Sequence, residues 1–309
     1  MAHIYIYSPS GAVRDKAAFR RGVRRLQALG HEVELDADAL TRHTRFAGDD
    51  ATRLAAIGRA AASGADVAMI SRGGYGLTRL LPAMPYKALA RAVSQGTRWV
   101  GLSDYTALQT ALLARTGAVS WAGPALGEDF GAESPDDIME ACFDDMVSGQ
   151  GEGAGWRLST ACTRALASRK PGVWARDAVL WGGNLSVLVS LLGTPYFPAI
   201  TGGVLFLEDI AEHPYRVERM LTQLLHAGVL ARQKAIVLGQ FTHYRLTPHD
   251  AGFKWLSVVD WLRSQLKVPV LTDLPFGHVV TKVCLPVGQR VSLVVEDRDA
   301  LLLWAHAGH

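Results

Sequence analysis

Short apolar runs alternate with helical segments through the first hundred residues, and this alternation restricts the fold more than any other feature. Residues 3–7 and 33–35 are mostly strand-forming, and residues 67–70 are apolar throughout, as in a strand buried on both faces. One helix is predicted to begin at Asp15 and another to cover residues 49–63. This order of strands and helices predicts an α/β fold with a parallel, doubly wound sheet.

Alternating glycines from Gly149 to Gly155 mark a change in composition. They predict a first domain over residues 1–148, a linker over 149–168 and a second domain over 169–309. In the tail from Val268 onward, valine and leucine runs are separated by glycine and aspartate, a pattern that predicts β-hairpins.

Composition argues against several classes of protein. The 309 residues are 49% hydrophobic with a formal net charge of +3, so a large core can form and no nucleic-acid partner is expected. Four arginines between positions 20 and 25 are interpreted as the solvated face of a helix. The three cysteines are scattered, which argues against a disulfide framework and against a cysteine zinc site. Without a membrane span or a recognisable secretory leader, the prediction is a cytoplasmic protein with no membrane partner.

Ser103 follows an apolar strand-like run, and a helix with Leu108 and Leu112 at helical spacing begins almost at once. The serine is therefore predicted on a sharp strand-to-helix turn. Such a turn exposes a side chain beside unpaired amides at a helix N-terminus, which suits a nucleophile whose reaction forms an oxyanion. A plain N-cap formed by Ser103 or Asp104 is the alternative.

Two glycine-rich turns are further candidates for ligand contact. The first, residues 71–76, follows the buried strand 67–70, at the strand end where open α/β sheets bind ligands. Gly74 is its candidate for ligand or oxyanion contact, and a plain turn is the alternative. The second turn, Gly182–Gly183, precedes Asn184, which is either the cap of the next helix or a ligand contact.

Glu208 and His278 are candidates to complete a catalytic group around a serine. Glu208 ends an apolar strand, where a carboxylate needs a partner, and a histidine is a suitable one. His278 follows a glycine on a loop between apolar segments. The order serine, acid, histidine matches that of α/β-hydrolases, but Tyr105 stands where their nucleophile turn has its second glycine, so that family is disfavoured.

Several motifs together resemble the LD-carboxypeptidase family of serine peptidases, which includes the muramoyl-tetrapeptide carboxypeptidases and the microcin C self-immunity peptidases. The resemblance extends over nearly the whole chain in the same order. It rests on SRGGYG at 71–76, RLLP at 79–82, GLSDYTAL at 101–108, GGNL at 182–185, GTPY at 193–196, LFLED at 205–209, PYR at 214–216 and GH at 277–278.

The resemblance implies a Ser103–Glu208–His278 triad, with an oxyanion hole formed by the backbone N–H groups of Gly74 and Asp104. It implies a flavodoxin-like N-terminal domain, a smaller β-rich C-terminal domain and a homodimer, and a mechanism that needs no metal or other cofactor. The implied reaction releases terminal D-Ala from cytoplasmic murein tetrapeptide during peptidoglycan recycling. Leu102 departs from the family, which more often has an aromatic residue before the serine.

A carboxypeptidase must hold a terminal carboxylate. Arg72, beside the glycine loop, is a candidate, and a structural arginine is an equally good interpretation. Three alternative functions stay open at this point. They are hydrolysis of a microcin-type aminoacyl nucleotide, non-catalytic binding of a small ligand between two domains, and a dinucleotide-dependent reaction. The missing G-x-G-x-x-G motif argues against the third.

Overall fold

The computed structural model describes residues 1–304. Within them, no helix combines the length and the apolar character needed to cross a bilayer. The strands are β1 (His3–Tyr7), β2 (Glu32–Leu35), β3 (Val67–Ile70), β4 (Arg98–Gly101), β5 (Ser120–Ala122), β6 (Gly153–Arg157), β7 (Gly172–Asn184), β8 (Val204–Ile210), β9 (Ala235–Thr242), β10 (Val270–Leu271), β11 (Leu285–Val287), β12 (Arg290–Glu296) and β13 (Asp299–Leu303).

The α-helices vary in length from one turn to more than three turns. They are α1 (Lys16–Ala28), α2 (Asp50–Ala62), α3 (Leu77–Leu80), α4 (Tyr86–Ser94), α5 (Thr106–Thr116), α6 (Asp137–Ser148), α7 (Thr160–Ala165), α8 (Leu185–Ser190), α9 (Pro214–His226) and α10 (Trp255–Gln265).

The described chain forms two units. The first contains Met1–Gln150 together with two later segments, Gly193–Pro198 and Val280–Gly288. The second contains Gly151–Leu192, Ala199–Val279 and the described residues from Gln289 onward. Residues 305–309 of the predicted second domain lie outside the described residues.

The first unit is built on a sheet of order β11-β5-β4-β3-β1-β2. The pairs from β2 to β5 are parallel, and β11 joins β5 antiparallel. The order 2-1-3-4-5 of the parallel strands is that of flavodoxin-like sheets. β3 is buried along its whole length, as its uninterrupted apolar sequence predicts. The predicted fold class of this half is confirmed.

Capping aspartates fix the ends of the first helices. Asp15 accepts hydrogen bonds from the amides of Ala17 and Ala18 at the start of α1, each at 2.8 Å. Asp49 caps α2 through the amide of Thr52 at 2.7 Å. These bonds satisfy amides that a helix N-terminus otherwise leaves unpaired, so each helix begins where the sequence predicts it.

The second unit holds a mixed sheet of order β10-β9-β8-β7-β12-β13-β6. Strands β10, β9, β8 and the end of β7 run parallel, whereas β7, β12, β13 and β6 are antiparallel. The long strand β7 belongs to both parts. The β12–β13 hairpin agrees with the prediction for the tail, while β11 belongs to the sheet of the first unit.

The segment predicted as a linker, residues 149–168, contains strand β6 and helix α7 instead. Gly153 and Gly155 lie opposite Leu303 and Leu301 of β13. A Cβ built on either glycine would stand 2.9 Å from the Cδ2 of the opposite leucine. The alternating glycines therefore make room for leucines on the next strand. Their composition is typical of a flexible linker, but here they form the edge strand β6.

Candidate active site

Ser103 lies on a strained turn directly after β4. Leu102 is extended, with φ −145° and ψ −179°, and Ser103 then adopts φ +66° before a short 3₁₀ turn leads into α5. A positive φ is unfavourable for a residue with a side chain and persists only where the surroundings impose it. Neither the 3₁₀ turn nor α5 has a side-chain cap, so the N-cap interpretation of Ser103 and Asp104 is wrong.

The glycine loop after β3 touches this turn. A Cβ on Gly73 would stand 2.8 Å from the Cβ of Ser103, so only a glycine allows the two backbones to approach so closely. Gly74 has φ +128° and is exposed, and a Cβ there would meet the backbone of Gly11 at 3.1 Å. Within residues 1–304, the N–H of Gly74 donates to no protein acceptor.

Asp104 ties three loops of the first unit together. Its Oδ2 accepts hydrogen bonds from the hydroxyl of Ser10 at 2.7 Å and from the amide of Leu77 at 3.0 Å. Burial raises the pKa of the Asp104 carboxyl, and these hydrogen bonds act against that rise. The side chain thus joins the loop after β1 and the start of α3 to the Ser103 turn. Ser10 carries no sequence signal that would have identified this contact.

Arg72 is largely engaged by its own unit. Its Nη1 donates to the carbonyl oxygen of Ala12 at 3.3 Å, and its Nη2 lies 3.7 Å from Oε1 of Glu128. The side chain is half-buried between these groups. The structure therefore shows the structural role that the sequence allowed, and binding of a substrate carboxylate by Arg72 stays a prediction.

Glu208 and His278 meet in the second unit. Glu208 is fully buried in β8, and its Oε2 lies 2.8 Å from Nδ1 of His278. Gly277, with φ +136°, makes this possible, because a Cβ there would crowd Glu208 Oε2 at 3.1 Å. A bond between Nδ1 and a carboxylate fixes the ring and directs Nε2 away from the acid, which is the arrangement of a general base.

Asn184 connects Glu208 to its neighbour Asp209. Its Nδ2 donates to Glu208 Oε1 at 3.1 Å and to Asp209 Oδ1 at 2.9 Å. Its Oδ1 accepts from the amide of Val187, so Asn184 caps α8, which is one of the two roles that the sequence allowed. The Asn184 side chain is buried, and a role in substrate binding stays a prediction.

Asp209 is the residue of this group that the sequence interpretation missed. The pKa of Asp209 is raised to about 6, mainly because the carboxyl is buried and to a smaller extent because the charge of Glu208 repels it. The only signal was its place directly after Glu208, at the end of an apolar run.

The predicted site residues form two groups. Ser103, Gly74, Asp104 and Arg72 belong to the first unit, whereas the Glu208–His278 pair and Asn184 belong to the second. The first group offers a serine on a strained turn that packs against the glycine loop at Gly73. The second offers an imidazole fixed by a buried carboxylate. These are the parts from which a serine hydrolase is built.

Comparison with known proteins agrees with this class. Residues 4–123 match the model of the LD-carboxypeptidase N-terminal domain, and residues 177–293 match that of the C-terminal domain. The chain belongs to the LD-carboxypeptidase family, and it is a hydrolase that acts as a carboxypeptidase. The resemblance read from the sequence motifs is confirmed.

Relatives differ in how much of the chain they match. A Streptomyces coelicolor protein is 32% identical over 314 residues, which cover 97% of this chain and 94% of the relative. The murein tetrapeptide carboxypeptidase of Pseudomonas aeruginosa is 29% identical over 226 residues, 72% of this chain and 70% of that protein. The microcin C7 self-immunity protein of Escherichia coli is 24% identical over 261 residues, 75% of this chain and 72% of that protein.

Among solved structures, the muramoyltetrapeptide carboxypeptidase of Oxalobacter formigenes is similar to this chain with a TM-score of 0.87 and 38% identity. The match covers 99% of this chain and 100% of that one. The agreement extends to both parts of the predicted fold, the parallel-sheet N-terminal region and the β-rich sheet of the C-terminal region.

Proposed function

We propose that this chain is a serine carboxypeptidase that releases terminal D-Ala from murein tetrapeptide in peptidoglycan recycling. The observation that carries the proposal is the hydrogen bond between the fully buried Glu208 and the partly buried His278 in a chain of this family. The substrate is inferred from the Oxalobacter formigenes and Pseudomonas aeruginosa relatives, whose names specify murein tetrapeptide.

In the proposed mechanism, His278 takes the proton of the Ser103 hydroxyl, and Ser103 attacks the carbonyl carbon of the scissile amide. Glu208 holds the imidazole in the required tautomer and stabilises the imidazolium that forms. The backbone N–H groups of Gly74 and Asp104 stabilise the oxyanion. His278 then protonates the leaving amine of D-Ala, and water, activated by the same histidine, hydrolyses the acyl-enzyme.

The test is release of D-Ala from murein tetrapeptide by the 309-residue chain and by its Ser103→Ala variant. We expect the variant to lose about 10⁴-fold or more in kcat with unchanged folding, since removing a triad nucleophile leaves only binding and oxyanion contributions. Ser94→Ala, which removes an exposed serine hydroxyl from α4, is the matched control. A Ser103→Ala variant with near-normal turnover would exclude Ser103 as the nucleophile.

A second candidate is hydrolysis of aminoacyl nucleotides, favoured by the relationship to the microcin C7 self-immunity protein. We rank it lower, since that match has 24% identity against 38% for the muramoyltetrapeptide carboxypeptidase. Parallel incubation with murein tetrapeptide and with processed microcin C separates the two. A fluorophosphonate probe separates both from a non-catalytic binder, which would bind ligand without being labelled.

Family resemblance also implies that the enzyme is a cytoplasmic homodimer. Light scattering coupled to size-exclusion chromatography measures the mass in solution. We expect twice the 33.3 kDa of one chain, and the mass of a single chain would contradict the prediction.

A further inference from the structure

Two carboxylates from adjacent residues of β8 share one amide group. Glu208 and Asp209 are both buried, and Nδ2 of Asn184 donates to an oxygen of each. Consecutive side chains of a regular strand point to opposite faces. Here the pairing of β8 with β9 is irregular, since its register shifts between Leu207 and Asp209. Such irregularities re-aim side chains, and this one lies at the acid proposed to orient His278.

Asp209 is held on several sides. Its Oδ2 accepts a hydrogen bond from the amide of Ser186 at 2.9 Å, and its Oδ1 accepts from the amide of Ile210 at 2.8 Å and from Asn184. All of these partners are donors. The carboxylate is therefore a fixed acceptor, anchored on the first turn of α8 and on its own strand.

The same contacts determine which way the Asn184 amide faces. Its Oδ1 accepts from the hydroxyl of Ser186 at 2.8 Å and from the amide of Val187 at 3.2 Å. Its Nδ2 therefore faces the two carboxylates. If the amide were turned over, its oxygen would face both acids and its nitrogen would face the amide of Val187, and neither contact is a hydrogen bond.

We infer that Asp209 is a positioning residue for the Glu208–His278 pair, acting through the amide of Asn184. This inference rests on the proposed function, in which Glu208 orients His278. Asp209 fixes the Asn184 amide, Asn184 fixes Oε1 of Glu208, and Oε2 of Glu208 is thereby directed at Nδ1 of His278. Each link is a hydrogen bond to a buried carboxylate, the kind whose loss is costly in a protein interior.

The test uses Asp209→Asn and Asn184→Ser in the 309-residue chain. Asp209→Asn nearly keeps the shape of the side chain, but an NH2 donor replaces one of the two acceptor oxygens of the carboxylate. Serine at 184 caps a helix as well as asparagine does, but it cannot donate to Glu208 in the same way and adds no charge. Asn184→Ser therefore separates capping of α8 from positioning of Glu208, and it carries the test if Asp209→Asn does not fold.

Two readouts are needed. The first is the proton resonance of the His278 ring Nδ1–H, assigned by its loss in His278→Gln. A strong hydrogen bond to a carboxylate moves this resonance downfield, and we expect both variants to move it back towards that of a free imidazole. The second is turnover of murein tetrapeptide, for which we expect kcat to fall about 10- to 100-fold while KM changes less than about twofold.

Asp36→Asn is the matched control. Asp36 is also buried and accepts hydrogen bonds from Tyr5 and Arg59, but it belongs to the first unit. The Asp36→Asn variant also removes a buried aspartate, and we expect it to leave the Nδ1–H resonance of His278 unchanged. An unchanged resonance or an unchanged kcat in folded Asp209→Asn and Asn184→Ser overturns the inference. If the resonance moves but wild-type protein releases no D-Ala, the positioning stands and the proposed substrate fails.

Discussion

Lys282→Met tests the most deeply buried ion pair of the first unit. The Lys282 ammonium donates to Oδ1 of Asp129, and both side chains are only 4% exposed. Oδ2 of Asp129 accepts from the amide of Ala125 at 2.8 Å. Methionine keeps most of the apolar length of lysine but removes the charge. Among residues 1–304, the buried Asp129 carboxylate would then keep only the amide of Ala125 as a hydrogen-bond partner.

We expect Lys282→Met to lower the free energy of unfolding substantially. Removing one partner of a buried pair costs about 3–5 kcal/mol, because the other charge stays buried without compensation. That is a large share of the roughly 5–15 kcal/mol that stabilises a typical protein. In Lys282→Met/Asp129→Asn, the side-chain oxygen of the asparagine can still accept from Ala125. We expect the double variant to recover about 2–3 kcal/mol relative to the sum of the two single changes.

The loss of stability in Lys282→Met also depends on pH, and its direction follows from the pKa of Asp129. Burial raises the pKa of Asp129, and Lys282 acts against that rise. Without the lysine, the folded chain binds the Asp129 proton more tightly than the unfolded chain does. Stability of Lys282→Met therefore falls as pH rises through the folded-state pKa. The deficit relative to wild type is therefore expected to be smaller at acidic pH than at pH 8.

Urea unfolding followed by far-UV circular dichroism at several pH values measures these differences. Lys267→Met, at an exposed lysine, is the control and should change the free energy of unfolding by less than about 0.5 kcal/mol. A Lys282→Met variant within about 1 kcal/mol of wild type at pH 8, or a deficit that grows as pH falls, would refute the reasoning.

Two glycine substitutions test close backbone approaches. Gly73→Ala places a Cβ 2.8 Å from that of Ser103, so we expect wild-type circular dichroism but a loss of at least about 10²-fold in D-Ala release, since small displacements of reacting groups are costly. Gly182→Ala places a Cβ 1.9 Å from the carbonyl oxygen of Phe206 at φ +133°, and thermal unfolding should show a loss of about 3 kcal/mol or more. Gly228→Ala, with positive φ but open space around it, should cost only about 1 kcal/mol. Equal losses at positions 182 and 228 would contradict the steric argument.

Much of the first unit could be predicted from sequence because its strands are short apolar runs and its helices have capping aspartates. The turn at Ser103 was predicted from the short distance between a strand signal and a helix signal. The cost of burying an unpaired acid predicts a polar partner for Glu208, and the family resemblance implies that this partner is His278. Each of these inferences uses a local pattern or a simple energetic rule.

What could not be predicted depends on distant parts of the chain. The glycines of β6 look like a linker until Leu301 and Leu303 are known to lie opposite them. The place of β11 beside β5 has no local signal, because three residues pair across a separation of more than 160 positions. The contact of Asn184 with Asp209 depends on an irregular strand pairing, which sequence periodicity does not reveal.

The return of β11 to the first sheet has a consequence for synthesis of the chain. A nascent polypeptide that ends at residue 150 has β1 to β5 but leaves β5 as an open edge, which Leu285–Val287 later covers. The ribosome must therefore translate past residue 287 before the N-terminal sheet is complete. Such late, long-range closure slows folding and exposes an unpaired strand in the meantime. A fragment truncated after residue 150 would carry that unpaired edge permanently.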